Sequence, residues 1–313
     1  MTTSARTSSA PDRLMMPGDL VEVRSAGEIL STLDEKGTLE NLPFMPEMLA
    51  FCGKQFRVSR RAFKTCVDDG DMRRLDDTVF LEEVRCDGAA HAGCDRGCLM
   101  FWKTAWLKPA GSPSSNGRAP GAKVTAADLI SLATRDGQFF CQSSEIVNAS
   151  KPLPWWEAKQ YLWDLKYNRI PFLLFARSLF IAVYNKFASR LKFPAWGAVS
   201  GVATNGNGSQ PLDLRPGELV RVKPLSQIKA TLDAEGKHQN LLFAPAMANF
   251  CGQTLLVRDR VENIVLEATT RQRKIKNTVL LEGAICDGVC HRLCPRQSLL
   301  FWRECWLERV TDP

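Results

Sequence analysis

Histidine and tyrosine are scarce in this sequence, with three of each in 313 residues. Two of the histidines, His91 and His291, lie in cysteine-rich stretches, and the third, His238, lies in a polar turn. The sequence also lacks a Walker loop, a dinucleotide-binding fingerprint, a nucleophile elbow and a His-Glu-x-x-His motif. The usual signs of a catalytic site are therefore missing. We favour a non-enzymatic role and leave an enzymatic one open.

A secretory signal is also missing, because residues 1–17 are rich in Ser and Thr and contain no apolar core. We therefore expect a cytoplasmic protein, with peripheral attachment to a membrane as the alternative. In a reducing compartment the 11 cysteines are expected to bind metal rather than to form disulfides. The balance of 41 Lys+Arg against 34 Asp+Glu permits a polyanionic partner without requiring one.

One cysteine-rich stretch occurs twice, and we call the two copies the first knuckle (residues 86–98) and the second knuckle (residues 286–298). Both begin with Cys-Asp-Gly and contain a histidine and a further cysteine at the same spacing. Both are followed by a Phe-Trp pair and a Trp-Leu pair, and matched residues differ by 200 in number. Recurrence without a gap indicates an internal repeat.

The similarity extends upstream at an offset of 199, where Phe51-Cys52-Gly53 matches Phe250-Cys251-Gly252. Alternating apolar residues and turn signals predict four or five short strands in each repeat, with a helical insert. We therefore predict a β-rich α+β protein with two homologous β-barrel-like (Src-homology-3-like) repeats joined by a central helical segment.

The predicted divisions follow from shifts in composition along the chain. They are a disordered leader (1–15), a first metal-binding repeat (16–110), a linker (111–121), a central aromatic-rich helical segment (122–200), a second linker (201–215) and a second metal-binding repeat (216–313).

Three cysteines and one histidine are common to both repeats, which is a complete tetrahedral ligand set for structural zinc. The predicted ligands are Cys52, Cys86, His91 and Cys94 in the first repeat and Cys251, Cys286, His291 and Cys294 in the second. Gly88 and Gly288 permit the tight turn that this spacing needs. Cys98 and Cys290 each occur in one knuckle only and are alternative fourth ligands. We expect about two zinc ions per chain, with iron–sulfur clusters or metal-free thiols as alternatives.

Cys-Asp-Gly followed by a histidine is similar to the motif of the CDGSH-type iron–sulfur proteins, which hold a two-iron cluster with three cysteines and one histidine. The similarity covers only the knuckles. The histidine here lies one residue further from the first cysteine, and the upstream Cys-x-Cys pair of that family is missing. This resemblance implies an iron–sulfur protein or a redox metalloenzyme as the alternative to zinc.

Further motifs lie outside the knuckles: Phe51-Cys52-Gly53, Cys141-Gln142, Pro154-Trp155-Trp156 and the run from Phe301 to Val310. Together with the knuckles they resemble an uncharacterised group of bacterial cysteine-rich tandem-repeat proteins found near genes for polysaccharide or natural-product biosynthesis. The resemblance implies an accessory role in a biosynthetic pathway and brings no reaction with it.

A helix predicted from Phe172 to Lys192 carries basic residues, no acidic residue and one apolar stripe. The stripe contains Phe172, Phe175, Leu179, Phe180, Val183 and Phe187. We expect this helix to be too short and too charged to span a bilayer. Its stripe either binds a membrane surface or a partner, or it packs between the two repeats.

The leading hypothesis is a metal-stapled protein that acts through a protein partner. Basic residues on the middle strands of both repeats also allow nucleic acid or an anionic glycan as a weaker alternative partner.

Overall fold

The computed structural model describes residues 14–67, 70–112, 122–135, 137–203 and 211–310. Nearly all of the predicted leader, most of the first predicted linker and part of the second lie outside the described residues. We refer to residues 14–112 as the N-terminal unit, to residues 122–203 as the central segment and to residues 211–310 as the C-terminal unit.

The chain contains short strands and few long helices. The strands are β1 (Leu20–Val23), β2 (Thr38–Leu39), β3 (Leu42–Pro43), β4 (Gln55–Arg61), β5 (Lys64–Cys66), β6 (Met72–Arg74), β7 (Thr78–Arg85), β8 (Leu99–Lys103), β9 (Leu107–Pro109), β10 (Thr134–Arg135), β11 (Gln138–Phe139), β12 (Lys151–Pro152), β13 (Leu219–Val222), β14 (Lys237–His238), β15 (Leu241–Leu242), β16 (Thr254–Arg260), β17 (Asn263–Val265), β18 (Gln272–Lys274), β19 (Thr278–Ile285), β20 (Leu299–Arg303) and β21 (Leu307–Arg309). The α-helices are α1 (Ala26–Leu30), α2 (Ala126–Leu132), α3 (Gln142–Glu145), α4 (Ala158–Lys166), α5 (Phe172–Leu191) and α6 (Leu225–Lys229). Turns of 3-10 helix cover Pro46–Phe51, Thr104–Trp106, Pro245–Phe250, Val289–His291 and Glu304–Trp306.

Each unit is built on a five-stranded antiparallel sheet, and the two sheets have the same order. The order is β8-β7-β4-β1-β9 in the N-terminal unit and β20-β19-β16-β13-β21 in the C-terminal unit. Register shifts occur at the same places in both sheets, between Val58 and Arg60 and between Val257 and Asp259. Such bulges bend a strand and increase its twist.

The sequence from Leu99 to Leu107 predicts one last strand of the first repeat, but the structure divides it into two strands on opposite edges of the sheet, and the second repeat is divided in the same way. Three residues, Thr104–Trp106, join β8 to β9, although these strands form the two edges. Three residues reach only about 10 Å even when fully extended. The sheet therefore has to curl until its edges approach, which gives a half-barrel. This result confirms the β-rich α+β class with two similar curled sheets.

Two pairs of tryptophans fill the half-barrels. Trp102 and Trp106 are fully buried in the N-terminal unit, and Trp302 and Trp306 are fully buried in the C-terminal unit. The indole N–H of Trp106 donates to Thr32 Oγ1 at 3.1 Å, which satisfies its polar atom inside the core.

The central segment joins both units. Helix α2 begins with a capping box in which the side chain of Thr125 accepts from the N–H of Asp128. Helix α5 packs on the second knuckle, where Ser178 Oγ donates to the carbonyl oxygen of Val289 at 2.9 Å. Ile181 is buried in the same small apolar cluster as Val289.

The apolar stripe predicted on α5 does not pack between the units. Five of its six side chains remain exposed, for example 57% for Phe180 and 58% for Phe187, whereas Phe175 is half-buried against the small apolar cluster at the second knuckle. Ser178, Ile181 and Ala188 form the buried face. The expectation that this helix is too short and too charged to span a bilayer is also corrected. The 20 residues of Phe172–Leu191 are long and apolar enough, by length and composition alone, to cross a membrane.

Candidate metal centre

The first knuckle turns at Gly88, whose φ is +71°. A Cβ at this position would lie 2.3 Å from the carbonyl oxygen of Cys94, so a side chain does not fit. Gly288 repeats the arrangement, with φ of +72° and 2.2 Å to the carbonyl oxygen of Cys294. These close approaches fold each knuckle back on itself, which is the role that the sequence predicts for the two glycines.

Four cysteines and His91 are among the residues that line one small cavity at the first knuckle. The cysteines are Cys86, Cys94, Cys98 and Cys141, and the cavity has a volume of about 30 Å³. The first three come from the knuckle, and Cys141 comes from the central segment, where it caps the start of α3. The cavity thus collects thiols from two separate parts of the chain.

Three of these thiols, those of Cys86, Cys94 and Cys141, lie in an environment that disfavours their charged form. Burial raises the pKa of Cys141 to about 11, and it also raises the pKa of Cys86 and of Cys94. Negative charge on Cys98 contributes to the raised pKa of all three. A cation in the cavity would offset this mutual repulsion.

His91 is buried beside the cavity, and both of its ring nitrogens have partners. Its Nδ1 lies 2.6 Å from Oε1 of Glu47, and its Nε2 lies 3.3 Å from the carbonyl oxygen of Phe140. The same Glu47 oxygen accepts a hydrogen bond from the N–H of Ala90 at 3.0 Å. Glu47 therefore fixes both the imidazole and the backbone of the first knuckle.

Glu47, Cys86 and His91 offer three ligand atoms that lie within 4.8 Å of one another. Within the described residues, no other set of three His, Cys, Asp or Glu donors is as compact. The second carboxylate oxygen of Glu47 is buried and has no hydrogen-bond partner among the described residues. A proton or a cation would stabilise such an atom.

This set does not form the nucleophile–base pair of a cysteine hydrolase. Such a pair needs a ring nitrogen of the histidine within hydrogen-bond reach of the thiol. The nitrogens of His91 instead face Glu47 and the backbone of Phe140. The geometry favours cation binding over nucleophilic catalysis.

Cys52, a predicted fourth ligand, is not among the residues that line the cavity. It follows the 3-10 turn Pro46–Phe51 and packs against the core of the N-terminal unit, where burial raises its pKa to about 11. Cys251 has the equivalent place in the C-terminal unit, after Pro245–Phe250. Of the predicted alternatives, Cys98 does line the cavity.

The second knuckle meets a cysteine from the other unit. The Sγ atoms of Cys294 and Cys66, the last residue of β5, lie 3.3 Å apart. The backbone N–H of Cys66 also donates to Cys294 Sγ at 3.2 Å. The hydrogen bond between the two thiols lowers the pKa of Cys294 to about 6 and raises the pKa of Cys66.

His291 and Cys290, the remaining donors of the second knuckle, lie in a different setting from His91. Burial and the positive charge of Arg292 lower the pKa of His291. Burial, followed by the charge of Asp287, raises the pKa of Cys290, while Arg177 of helix α5 opposes the rise. The position equivalent to Glu47 is Ala246, so this knuckle has no carboxylate at that place.

The first knuckle receives the same contact from the C-terminal unit. The N–H of Val265 donates to Cys94 Sγ at 3.3 Å, and Val265 occupies the position equivalent to Cys66. A guanidinium group braces each contact: Arg96 donates to the carbonyl oxygen of Val265 at 3.1 Å, and Arg296 donates to that of Cys66 at 3.2 Å. The β5–β6 hairpin of the N-terminal unit thus contacts the second knuckle, and the β17–β18 hairpin of the C-terminal unit contacts the first knuckle.

Sequence reasoning did not assign a ligand role to Cys66, Cys141 or Glu47. Neither cysteine has a counterpart in the other repeat, and Glu47 is replaced by Ala246. The ligand prediction used only residues that both repeats share, so it could not include any of these three residues. The one sequence signal was the Cys141-Gln142 motif, which gives no distance to the first knuckle.

Comparison of this chain with protein-family models, with curated proteins and with solved structures found no match in any of the three. The resemblance to the bacterial tandem-repeat group therefore stays a prediction.

Proposed function

We propose that this chain is a metal-stapled interaction protein, and that the first knuckle binds zinc through Cys86, Cys94, Cys98 and Cys141. The observation that carries the proposal is that these four cysteines line one cavity of about 30 Å³. No three of their sulfur atoms lie within 4.8 Å of one another, so binding of the ion would draw them closer together. That volume suits a single ion or water molecule. Four thiolates also form one of the usual ligand sets of structural zinc.

This ligand set replaces two members of the set predicted from the sequence. Cys98 and Cys141 take the places of Cys52 and His91, and Cys52 lies outside the cavity lining. His91 becomes a neighbour of the metal rather than a ligand, because both its nitrogens are engaged. The predicted Cys-His set remains the alternative, in which His91 exchanges its contact with Phe140 for the ion.

A structural rather than a catalytic metal follows from the size of the cavity. Small-molecule sites usually have volumes of about 300–1,000 Å³, and the thiol-lined cavity is far smaller. Zinc there would link the knuckle to the central segment and contribute on the order of 10 kcal/mol to folding. We also propose that the two similar curled sheets are homologous Src-homology-3-like half-barrels that serve as a scaffold for a protein partner, with an accessory role in biosynthesis.

Metal analysis of protein purified without oxygen tests the proposal. We expect zinc in the wild-type chain and loss of the first-knuckle ion in Cys98→Ser and Cys141→Ser. Cys52→Ser is the matched control, because this thiol is similarly buried in the same unit but lies outside the cavity lining. Detection of iron with labile sulfide and visible absorbance would reject zinc and support the iron–sulfur alternative. A metal-free wild-type protein would reject metal binding altogether.

A membrane surface is a second candidate partner, and the exposed stripe of α5 is the observation that favours it. At about 100° per residue, Phe172, Phe180, Val183 and Phe187 fall within one arc of the helix, opposite its buried face. Arg177 and Lys186 flank the arc on either side, and the sequence has no Asp or Glu between residues 165 and 212. An apolar face bordered by cations is typical of a helix lying in an anionic bilayer interface.

The contacts of α5 favour a helix that lies on the bilayer over one that crosses it. Ser178 and Ile181 are held against the second knuckle, so lipid could not surround the helix without breaking these contacts. Flotation with vesicles of mixed neutral and anionic lipids tests this. We expect binding that weakens in Phe180→Ser/Phe187→Ser and persists in the control Ile130→Ser, an exposed apolar residue of α2. Equal flotation of all three proteins would reject the membrane role of the stripe.

A further inference from the structure

A larger cavity, separate from the thiol-lined one, lies where the two units and the central segment meet. We call it the junction cavity, and the residues that matter on its lining are Lys36, Asn41, Arg135, Glu145, Asn148 and Thr270. Its volume is about 420 Å³. Small-molecule sites usually have volumes of about 300–1,000 Å³. The junction cavity is therefore large enough for a small organic molecule, whereas the thiol-lined cavity is not.

Arg135 is held in a fixed orientation at the junction cavity. Its Cζ lies 3.9 Å from the centre of the Phe140 ring, and its Nη2 donates to the carbonyl oxygen of Lys36 at 3.0 Å. Its buried Nε has no hydrogen-bond partner among the described residues. A guanidinium that stacking already holds in place loses little freedom on binding, and its planar fork matches a carboxylate or a phosphate. Arg135 therefore suits an anionic group.

Thr270 lines the same cavity with a strained backbone. Its φ is +56°, in the left-handed region that β-branched residues rarely adopt. Its carbonyl oxygen accepts from the N–H of Phe139 at 2.9 Å, but its buried hydroxyl has no partner among the described residues. Backbone strain and unsatisfied polar atoms concentrate at ligand sites. This observation is independent of Arg135 and also points to a ligand.

The rest of the lining indicates what kind of molecule fits. Lys36 adds a second cation, and Glu145 is the acidic residue among the described residues of the lining. The side chain of Asn148 donates to Glu145 Oε2 at 2.7 Å. Asn41, Gln138 and Asn148 bring three carboxamides, each able to donate and to accept hydrogen bonds. Two cations against one carboxylate favour an anion, and carboxamides suit hydroxyl groups beside it.

We propose that the junction cavity binds an anionic sugar, that is, a sugar that carries a carboxylate or a phosphate. Arg135 and Lys36 hold the charged group, and Thr270 and the carboxamides hold the hydroxyl groups. This site goes beyond the metal-stapled function proposed above and does not depend on it.

Calorimetric titration of the full-length chain with four probes tests the proposal. The probes are D-glucuronate, glucose 6-phosphate, glucose and inorganic phosphate. We expect one of the two anionic sugars to bind, and the tighter of them identifies the charged group. Glucose and inorganic phosphate should bind at least about tenfold more weakly, because each lacks one part of the recognised chemistry. Inorganic phosphate that bound as tightly as the sugars would overturn the sugar assignment. No binding of either anionic sugar at millimolar concentration would overturn the site.

Arg135→Gln should weaken binding of the anionic sugar by about tenfold or more, since a charged hydrogen bond is lost. Arg57→Gln is the matched control, because Arg57 also donates to one backbone carbonyl, that of Gly18 at 3.1 Å, but lies outside the cavity lining. Zinc content should be the same in both variants, which separates this site from the metal site. Lys36→Gln, at an exposed position, supplies the charge test if Arg135→Gln does not fold.

Thr270→Gly separates binding from folding. Glycine adopts a positive φ without strain, so the unfolding temperature should stay the same or rise. Loss of the hydroxyl should nevertheless weaken sugar binding by about fivefold. A role of Thr270 in folding alone would leave the affinity unchanged. Wild-type affinity in Thr270→Gly and in both charge variants would overturn the proposed site.

Discussion

The sulfur atoms of Cys66 and Cys294 lie 3.3 Å apart, although 228 positions separate the two residues in the chain. The N-terminal unit supplies one atom, and the second knuckle supplies the other. The corresponding contact in the first knuckle, between the N–H of Val265 and Cys94 Sγ, runs in the opposite direction between the units. Each unit therefore completes the surroundings of the other unit's knuckle, and the two are not structurally independent.

This proximity predicts a selective disulfide. A mild two-electron oxidant such as diamide should join Cys66 to Cys294, with both thiol protons and two electrons passing to the oxidant. Peptide mapping by mass spectrometry under non-reducing conditions checks the pairing. Disulfides that form between other cysteines while Cys66 and Cys294 stay reduced would contradict the prediction.

The tight turn of the first knuckle predicts a large effect of Gly88→Ala. The new Cβ would lie 2.3 Å from the carbonyl oxygen of Cys94, so the backbone of the knuckle has to move. Gly93→Ala is the control, since its φ of +66° is also positive but no atom lies within 4 Å of the added Cβ. The control should lose only about 1 kcal/mol of unfolding free energy. Gly88→Ala should lose clearly more, and equal losses in denaturant titrations would refute the steric argument.

A buried ion pair holds the N-terminal unit to helix α4. Lys64 and Asp164 are fully buried with Nζ and Oδ2 2.5 Å apart, and Lys64 also donates to the carbonyl oxygen of Arg292 in the second knuckle. Burial raises the pKa of Asp164 to about 6 and lowers the pKa of Lys64, so each charge depends on the other.

Asp164→Asn should therefore cost about 3–5 kcal/mol of unfolding free energy, because it leaves a buried cation without its counter-ion. Lys64→Met combined with Asp164→Leu should recover most of this loss. The exposed pair of Lys123 and Glu35 supplies the control, and Lys123→Met should change stability by less than about 0.5 kcal/mol. A double variant no more stable than Asp164→Asn would argue against charge burial as the cause.

The side-chain amide of Gln142 hydrogen-bonds to backbone groups in the way that a neighbouring strand would. Its Oε1 accepts from the N–H of Phe101 at 2.8 Å, and its Nε2 donates to the carbonyl oxygens of Phe101 at 2.8 Å and of Pro43 at 3.0 Å. Gln142→Ala would leave these buried backbone groups unsatisfied, at about 1–3 kcal/mol for each group. We expect a loss of at least about 2 kcal/mol, together with weaker metal retention because Cys141 is the adjacent residue. Gln138→Ala, at an exposed position, should have little effect on either thermal unfolding or zinc content.

The presence of short strands in each half-barrel was within reach of the sequence because local patterns carry the necessary information, whereas their order in the sheet was not predicted. Alternation marks Leu20–Val23, and the shared Cys-Asp-Gly turns follow from a glycine whose position leaves no room for a side chain. The break between β8 and β9 was missed, since Leu99 to Leu107 reads as one apolar run. The chain has to break between β8 and β9 because the sheet curls and the two strands lie on its opposite edges. This curling depends on contacts between distant strands, so a local sequence pattern does not reveal it.

The predicted metal ligands also divide into residues that the sequence identified and residues that only the structure brought near. The sequence by itself determined that two knuckles exist, that each folds on a glycine and that Cys86, Cys94, Cys286 and Cys294 belong to them. Only the tertiary structure decided that Cys141 and Cys66 approach these knuckles, and that Cys52 does not line the first cavity. The physical reason is that these approaches depend on how the central segment and the two hairpins pack across the units. A comparison of repeats detects what the copies share, whereas packing brings together residues that they do not.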